Sequence, residues 1–235
     1  MGTSAFGNET HERLLTALAR DLKLPLTQIA RTAELGATTP DTSTLQTIET
    51  TAEMALRLID SYILGVELEA LPVLDLEPVS VSAMLQDTAH ELSKIAKQYD
   101  CTVEVNLAGR YRPVMAHRSS LEAAFSALGY AFVTSVPDQD KRHIVTLGAH
   151  ASARGLVAGL YSGAHTLSPE ALRRGKALFG TAHQPLPTFT AQASSSIFVA
   201  NTLLSRIESP LHTSRHNKIA GLATTLIPSQ QLSLV

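Results

Sequence analysis

Residues 20–29 read Arg20-Asp21-Leu22-Lys23-Leu24-Pro25-Leu26-Thr27-Gln28-Ile29. They lie inside a longer run, 9–35, in which Leu14, Leu15, Leu18, Leu22, Leu26, Ile29 and Leu35 recur mostly at steps of three and four. That spacing predicts a long helix with one apolar face. Pro25 has no N–H for the carbonyl one turn back, so a kink with one lost hydrogen bond is expected there. The stretch GATTPDTST (36–44) is turn-like and offers Asp41, Thr42 or Ser43 as an N-cap. A second helix follows over 44–68, with Leu45, Ile48, Ala52, Ala55, Leu56, Ile59, Tyr62 and Ile63 as its apolar stripe. Two such helices and a short loop make a hairpin, which has too few layers to close a core by itself. Pairing two hairpins into a four-helix bundle solves this, so a homodimer is expected, with coil-like contacts from Leu18, Leu22, Ile29, Ile48, Ala55 and Ile59.

The chain of 235 residues is 44% hydrophobic and 17% charged, enough apolar surface to bury a core. At ~100–200 residues per domain this length allows one or two domains. Lys and Arg number 19 against 21 Asp and Glu, a net charge of −2, which gives no global basic signal for nucleic acid or acidic lipid. A single cysteine excludes an intrachain disulfide framework and a multi-cysteine zinc site. No apolar run approaches the ~18–20 residues of a membrane span, and MGTSAFGNETHER lacks the pattern of a secretory signal. A soluble, cytoplasmic protein is expected, with no membrane or nucleic-acid partner.

The composition shifts at ALPVLDLEPVS (70–80), read as a linker and a short strand. Residues 81–98 then read as helix. CTVEVNL (101–107) alternates as a strand, 119–133 is a strongly apolar helix, and HIVTLGAH (143–150) and GLVAGLYS (155–162) read as paired strands. Ser168-Pro169-Glu170 is a helix start, with a cap hydroxyl, proline at the first position and an early carboxylate. A buried helix over 197–207 and two short strands within 211–227 close the chain. This order predicts an α+β sandwich, helices on one face of a mixed sheet, after the N-terminal hairpin. The expected division is 1–72 for the hairpin and 73–235 for the sandwich.

The 20–29 segment resembles the H-box of sensor histidine kinases, His-Glu-Leu-Arg-Thr-Pro-Leu-Thr-x-Ile. The acid Asp21, Leu22, the basic Lys23, Pro25, Leu26, Thr27 and Ile29 match, but Arg20 stands where the phospho-accepting histidine belongs. The hairpin is similar to that family's dimerisation and phosphotransfer domain, and VSVSAMLQDTAHELSKIAKQYDCTVEVNL to the opening of its ATPase domain. The resemblance implies nucleotide motifs that are altered here. The family's N-box run Asn-Leu-x-x-Asn-Ala-x-Lys aligns with Ser126 to Val133, placing Tyr130 at the magnesium-binding asparagine and Val133 at the lysine. The first glycine box, Asp-x-Gly-x-Gly-Ile, aligns with Ser162-Gly163-Ala164-His165-Thr166-Leu167, so Ser162 replaces the adenine-reading aspartate and Ala164 and Thr166 the glycines. The second glycine box falls at Ser194-Ser195-Ser196-Ile197.

The substitutions have a chemical meaning. Histidine phosphorylation needs a neutral imidazole nitrogen as nucleophile, whereas a guanidinium with a pKa above ~12 stays protonated. Magnesium needs hard oxygen ligands, which a protonated phenol supplies poorly. Phosphates need the close backbone approach that glycine permits. The expectation is a histidine-kinase-like chain without catalytic residues, metal or cofactor. Its partners would be a second copy and a response-regulator receiver domain or a kinase, bound as scaffold, inhibitor or decoy. A contact role falls to Arg20, whose guanidinium can pair with receiver carboxylates, and to Asp21, Lys23 and Pro25 beside it. The alternative is an atypical phosphotransfer or nucleotide-binding protein using a non-standard site, for example His11. That histidine lies nine residues before Arg20, roughly 180° around an ideal helix.

Other candidates have plainer readings. His165, His212 and His216 read as surface histidines, and Cys101 as a core residue. Arg173, Arg174 and Lys176 form a basic run in the expected lid, read as a solvated helix face. Phe125, Tyr130 and Phe132 are expected to fill the space a nucleotide would occupy.

Overall fold

The computed structural model describes residues 3–38, 41–107, 109–135, 143–165, 167–179, 186 and 188–229. Helix α1 (Thr3–Thr38) and helix α2 (Thr42–Ala70) form the hairpin. α1 runs unbroken through Pro25. The proline ring withholds the N–H that would bond the Asp21 carbonyl, and the turns on either side carry the helix across. Thr16 and Thr27 donate their hydroxyls to the carbonyls of Glu12 and Lys23, one turn back.

The remainder runs β1 (Glu77–Val79), α3 (Val81–Ala96), a 3-10 turn (Lys97–Tyr99), β2 (Cys101–Leu107), β3 (Val114–Ala116) and α4 (Arg118–Thr134). It continues with β4 (His143–Ser152), β5 (Gly155–Tyr161), α5 (Pro169–Leu178), α6 (Ala191–Arg206), β6 (His212–His216) and β7 (Ile219–Leu226). The main sheet has five strands in the order β2-β4-β5-β7-β6. β2 and β4 are parallel, and the other neighbours antiparallel. β1 and β3 form a separate antiparallel pair. Side-chain caps begin the helices where the sequence supplies them: Ser80, His117, Ser168 and Thr190 each accept from a backbone N–H of the first turn.

The sequence reading missed β3, a short segment within RYRPVMA. It also began the last helix at 197, whereas Thr190 caps α6 ahead of Ala191. The hairpin's inner face is closed differently from the expectation. α1 packs on α6, and α2 packs on α4 and α6. One continuous cluster joins Leu14, Ala17, Met54, Leu58, Tyr62 and Leu68 of the hairpin to Leu92, Leu121, Phe125, Leu128, Leu203 and Leu204 beyond it. Polar ties bridge the same seam. Arg206 donates to the Leu71 carbonyl at 2.6 Å, Tyr99 to Gln28 Oε1 at 3.0 Å, and Arg57 to Glu91 Oε2 at 2.6 Å. The hairpin's outer face stays open, exposing Leu15, Leu26, Leu45, Leu56 and Ile63.

Candidate functional site

The positions that the sequence reading aligns with nucleotide motifs lie where α4, α6 and the end of β5 meet. Tyr130, in the last part of α4, is 1% exposed and Val133 0%. Phe125 and Phe132 are likewise fully buried, and Ser126 is half-buried. The Tyr130 hydroxyl has no hydrogen-bond partner among the described residues. Burial drives its pKa far above the usual phenol range, with Tyr99 and Asp21 adding to the rise.

Ser162 follows β5 and is 1% exposed. Its hydroxyl accepts from the Ala164 N–H at 3.2 Å and lies 3.5 Å from His143 Nδ1. Ala164 is exposed, and Thr166 lies outside the described residues. The Ser194–Ser196 run is not a loop. It occupies the first turns of α6, where Ser194 donates to the Thr190 carbonyl at 2.9 Å and Ser196 donates to Asp21 Oδ2 at 2.6 Å.

An aromatic wall stands beside these residues. His165 stacks on Phe189 with ring centroids 4.3 Å apart, and Phe132 meets both rings edge-on. His165 Nδ1 donates to the Thr188 carbonyl and His143 Nε2 to the Phe132 carbonyl, each at 3.0 Å, so each of these nitrogens carries a hydrogen. Burial and the neighbouring His143 push the His165 pKa down to about 4. Burial also lowers that of His143. His165 is therefore a core residue, not the expected surface histidine.

The same correction applies to His216, which is 4% exposed. Its ring lies over Gly148, donates from Nε2 to Asn106 Oδ1 at 3.0 Å, and meets His150 Nδ1 at 3.2 Å. His212, half-buried, bonds Thr225 Oγ1 at 2.9 Å. No group of three or more metal-ligating side chains occurs among the described residues. Arg173 and Arg174 are exposed, while Lys176 is drawn in to the Leu211 carbonyl at 2.7 Å. Cys101 is a buried free thiol whose pKa burial raises to about 11.

The 20–29 segment faces inward at its centre. Lys23 is exposed and Arg20 half-buried, with Arg20 Nη1 buried and unbonded among the described residues. Pro25 is buried. Asp21 is 0% exposed, sealed between α1, α2 and α6. Its Oδ2 accepts from Tyr62 Oη at 2.7 Å and from Ser196 Oγ at 2.6 Å, and its Oδ1 has no partner among the described residues. Burial raises its pKa to about 7 against the lowering pull of Ser196, Tyr62 and Arg20. Sequence reasoning placed Asp21 beside a partner contact and missed this triad. The signal was present, because Leu14, Ala17, Asp21 and Pro25 step by three, four and four along the inward stripe.

Of the residues named for a dimer contact, Leu18 packs on the chain's own core and Ala55 is buried within the single chain. Leu22, Ile29, Ile48 and Ile59 are half-buried. The side chain of His11 lies outside the described residues.

No family model matches this chain, and no curated protein matches it. Solved structures do. The Acinetobacter baumannii histidine kinase AdeS superposes with a TM-score of 0.54 at 13% identity, over 89% of this chain and 98% of that one. Full-length ShkA in complex with AMPPNP gives 0.55 at 13% identity, over 97% of this chain and 46% of that one. The chain has a histidine-kinase-like fold. The histidine kinase ThkA, in complex with the response regulator protein TrrA, gives 0.54 at 10% identity, over 92% of this chain and 61% of that one. The chain thus spans about half the length of ShkA and under two thirds of that ThkA chain. At these identities the likeness establishes the kinase-like architecture, a helical N-terminal region followed by a mixed α/β sheet domain.

Proposed function

We propose that this chain is a kinase-like regulator in two-component signalling that acts by binding other proteins, with no phosphoryl transfer of its own. The observation that carries the reading is the joint burial of Tyr130, Val133, Ser162, Ser194 and Ser196, all 1% exposed or less. In this reading, side chains and a helical turn take the positions that the motif alignment gives to a magnesium ligand, an adenine reader and a phosphate loop. Arg20 at the acceptor position points the same way, since a guanidinium is no nucleophile. Residues 73–235 are then a degenerate ATPase-like unit, and residues 1–72 a dimerisation hairpin whose outer stripe pairs with a second copy.

The partner in this reading is a receiver domain or a true kinase, met on the hairpin. Arg20 and Lys23 supply cations for the acidic pocket of a receiver. The ThkA complex with a response regulator lends the analogy. A cytoplasmic location agrees with the single reduced thiol of Cys101. The test is incubation of the purified chain with magnesium and labelled ATP, and separately with a phosphorylated receiver. Intact mass should stay unchanged and ATP should leave the melting temperature unmoved. A stable phosphoryl adduct, on His11 or elsewhere, would overturn the reading.

A further inference from the structure

Asp21 is a carboxyl group on α1, fully shielded from solvent and held by residues from two other helices. Tyr62 of α2 and Ser196 of α6 both donate to Oδ2, at 2.7 and 2.6 Å. Ser196 lies 175 residues away in sequence, on the far side of the seam between the hairpin and the rest of the chain. Buried polar atoms at this seam lack partners among the described residues, namely Asp21 Oδ1, the Tyr130 hydroxyl, Arg20 Nη1 and Arg206 Nε. A neutral carboxylic acid suits this setting. With its proton on Oδ1 it accepts two hydrogen bonds at Oδ2 and puts no net charge in the core, at the lesser cost of one unpartnered O–H. An ionised carboxylate does not, because only two donors reach it and its remaining lone pairs face apolar packing.

We propose that Asp21 is a proton-operated latch: with its proton on, it holds the helical hairpin against α4 and α6, and losing that proton frees the hairpin to swing away. The inference stands on the seam's geometry and is independent of the signalling reading. Undocking would carry Asp21 and Pro25 into water, so the latch would also set how much of the 20–29 segment is accessible.

The surrounding groups leave Asp21 as the titrating member. On α1, Arg20 is a permanent cation that favours the carboxylate without bonding it. On α2 and α4, Tyr62 and Tyr130 have pKa values pushed far upward by burial and by Asp21, so both stay protonated. On α6, the contact is the hydroxyl of Ser196. Tyr99, beyond Tyr130, donates to Gln28 and is likewise raised by burial.

The sign follows from linkage. Docked, Asp21 titrates at about 7; released into water it titrates at its ordinary 3.8. The docked form therefore binds the extra proton. Docking is strongest below the released value, weakens by up to about tenfold per pH unit as pH rises between the two, and levels off above the docked value.

The test places nitroxide labels at exposed Glu53 of α2 and Glu170 of α5, each replaced by cysteine in a full-length Cys101→Ala chain, and reads their separation by pulsed electron resonance. Raising the pH from about 5 to about 8 should move population from one short distance to longer ones. Asp21→Asn keeps the neutral shape and should hold the short distance throughout. Ser196→Ala, which removes one donor, should lengthen the distances already at the lower pH. Carbon-13 titration of the Asp21 carboxyl gives a readout that needs no substitution. A carboxyl titrating near 4, a separation that ignores pH, or an Asp21→Asn chain that opens like the parent would each overturn the latch.

Discussion

Tyr130 shows how a single buried atom sets a measurable cost. Its ring fills the helix layer, but its hydroxyl is sealed without a partner among the described residues. Leaving a hydroxyl so placed costs about 1–3 kcal/mol, which deleting the oxygen recovers. Tyr130→Phe should therefore be neutral or stabilise by about 1 kcal/mol, read as a higher denaturant midpoint with an unchanged slope. A midpoint lowered by a similar amount would mean that the hydroxyl has a partner after all. His165 makes the matching argument for pH. Its folded pKa, about 4, lies below the ordinary 6.5, so the unfolded chain binds the extra proton between those values. The stability it permits is present above 6.5 and lost as pH falls towards 4. His143 and His216, also lowered, add to that loss, while Asp21 runs the opposite way across the same window. His165→Phe keeps a ring on Phe189 and should flatten the acid limb of a stability-versus-pH curve, measured by urea unfolding. If the limb keeps its slope, His165 is not its source.

At the scale of elements, α3 and α4 meet where a side chain is missing. A Cβ on Gly129 would lie 2.1 Å from Leu92 Cδ1 and 2.9 Å from its Cγ, so the glycine lets the helices close on Leu92. Gly129→Ala forces that leucine off its rotamer at a cost of about 1–3 kcal/mol. Leu92→Ala alone leaves a cavity and costs about 2–5 kcal/mol. The double variant should lose clearly less than the sum, since the new methyl enters the vacated space. Additive losses would disprove the contact. The elements themselves were legible wherever periodicity and caps agreed, as at Ser168-Pro169-Glu170, where α5 begins. They were not legible where only tertiary pairing makes the element. Val114–Ala116 becomes β3 because Glu77–Val79 lies opposite it, and a three-residue strand has no period to read. The start of α6 was not legible for the same reason: Thr190 caps the helix ahead of the serine run, and the serines then bond within and across helices.

At the scale of the whole molecule, the hairpin has two apolar faces, and the sequence alone does not say which neighbour takes which. Leu14, Ala17, Leu58 and Tyr62 turn to the chain's own α4 and α6. The opposite face keeps Leu15 and Leu26 on α1 and Leu45 and Leu56 on α2, each pair eleven residues and so about three turns apart. Ile63 continues the α2 stripe one heptad beyond Leu56. These side chains are between 48% and 69% exposed in a single chain, together with Leu35 at the hairpin's end. An aligned apolar stripe of this length along two helices is a surface that monomers rarely leave open. If the hairpin is a dimerisation unit, this stripe is its seam, and the inward residues contribute only through the fold of each copy. Leu56→Glu with Ile63→Glu should then convert a dimer into a monomer in sedimentation equilibrium. Its circular dichroism and thermal unfolding extrapolated to low protein concentration should match the parent, because neither residue enters the internal core. Leu58→Glu makes the opposite case. It buries a charge on the internal seam and should lower the stability of each chain whatever its concentration. A parent chain that sediments as a monomer at every concentration would remove the seam.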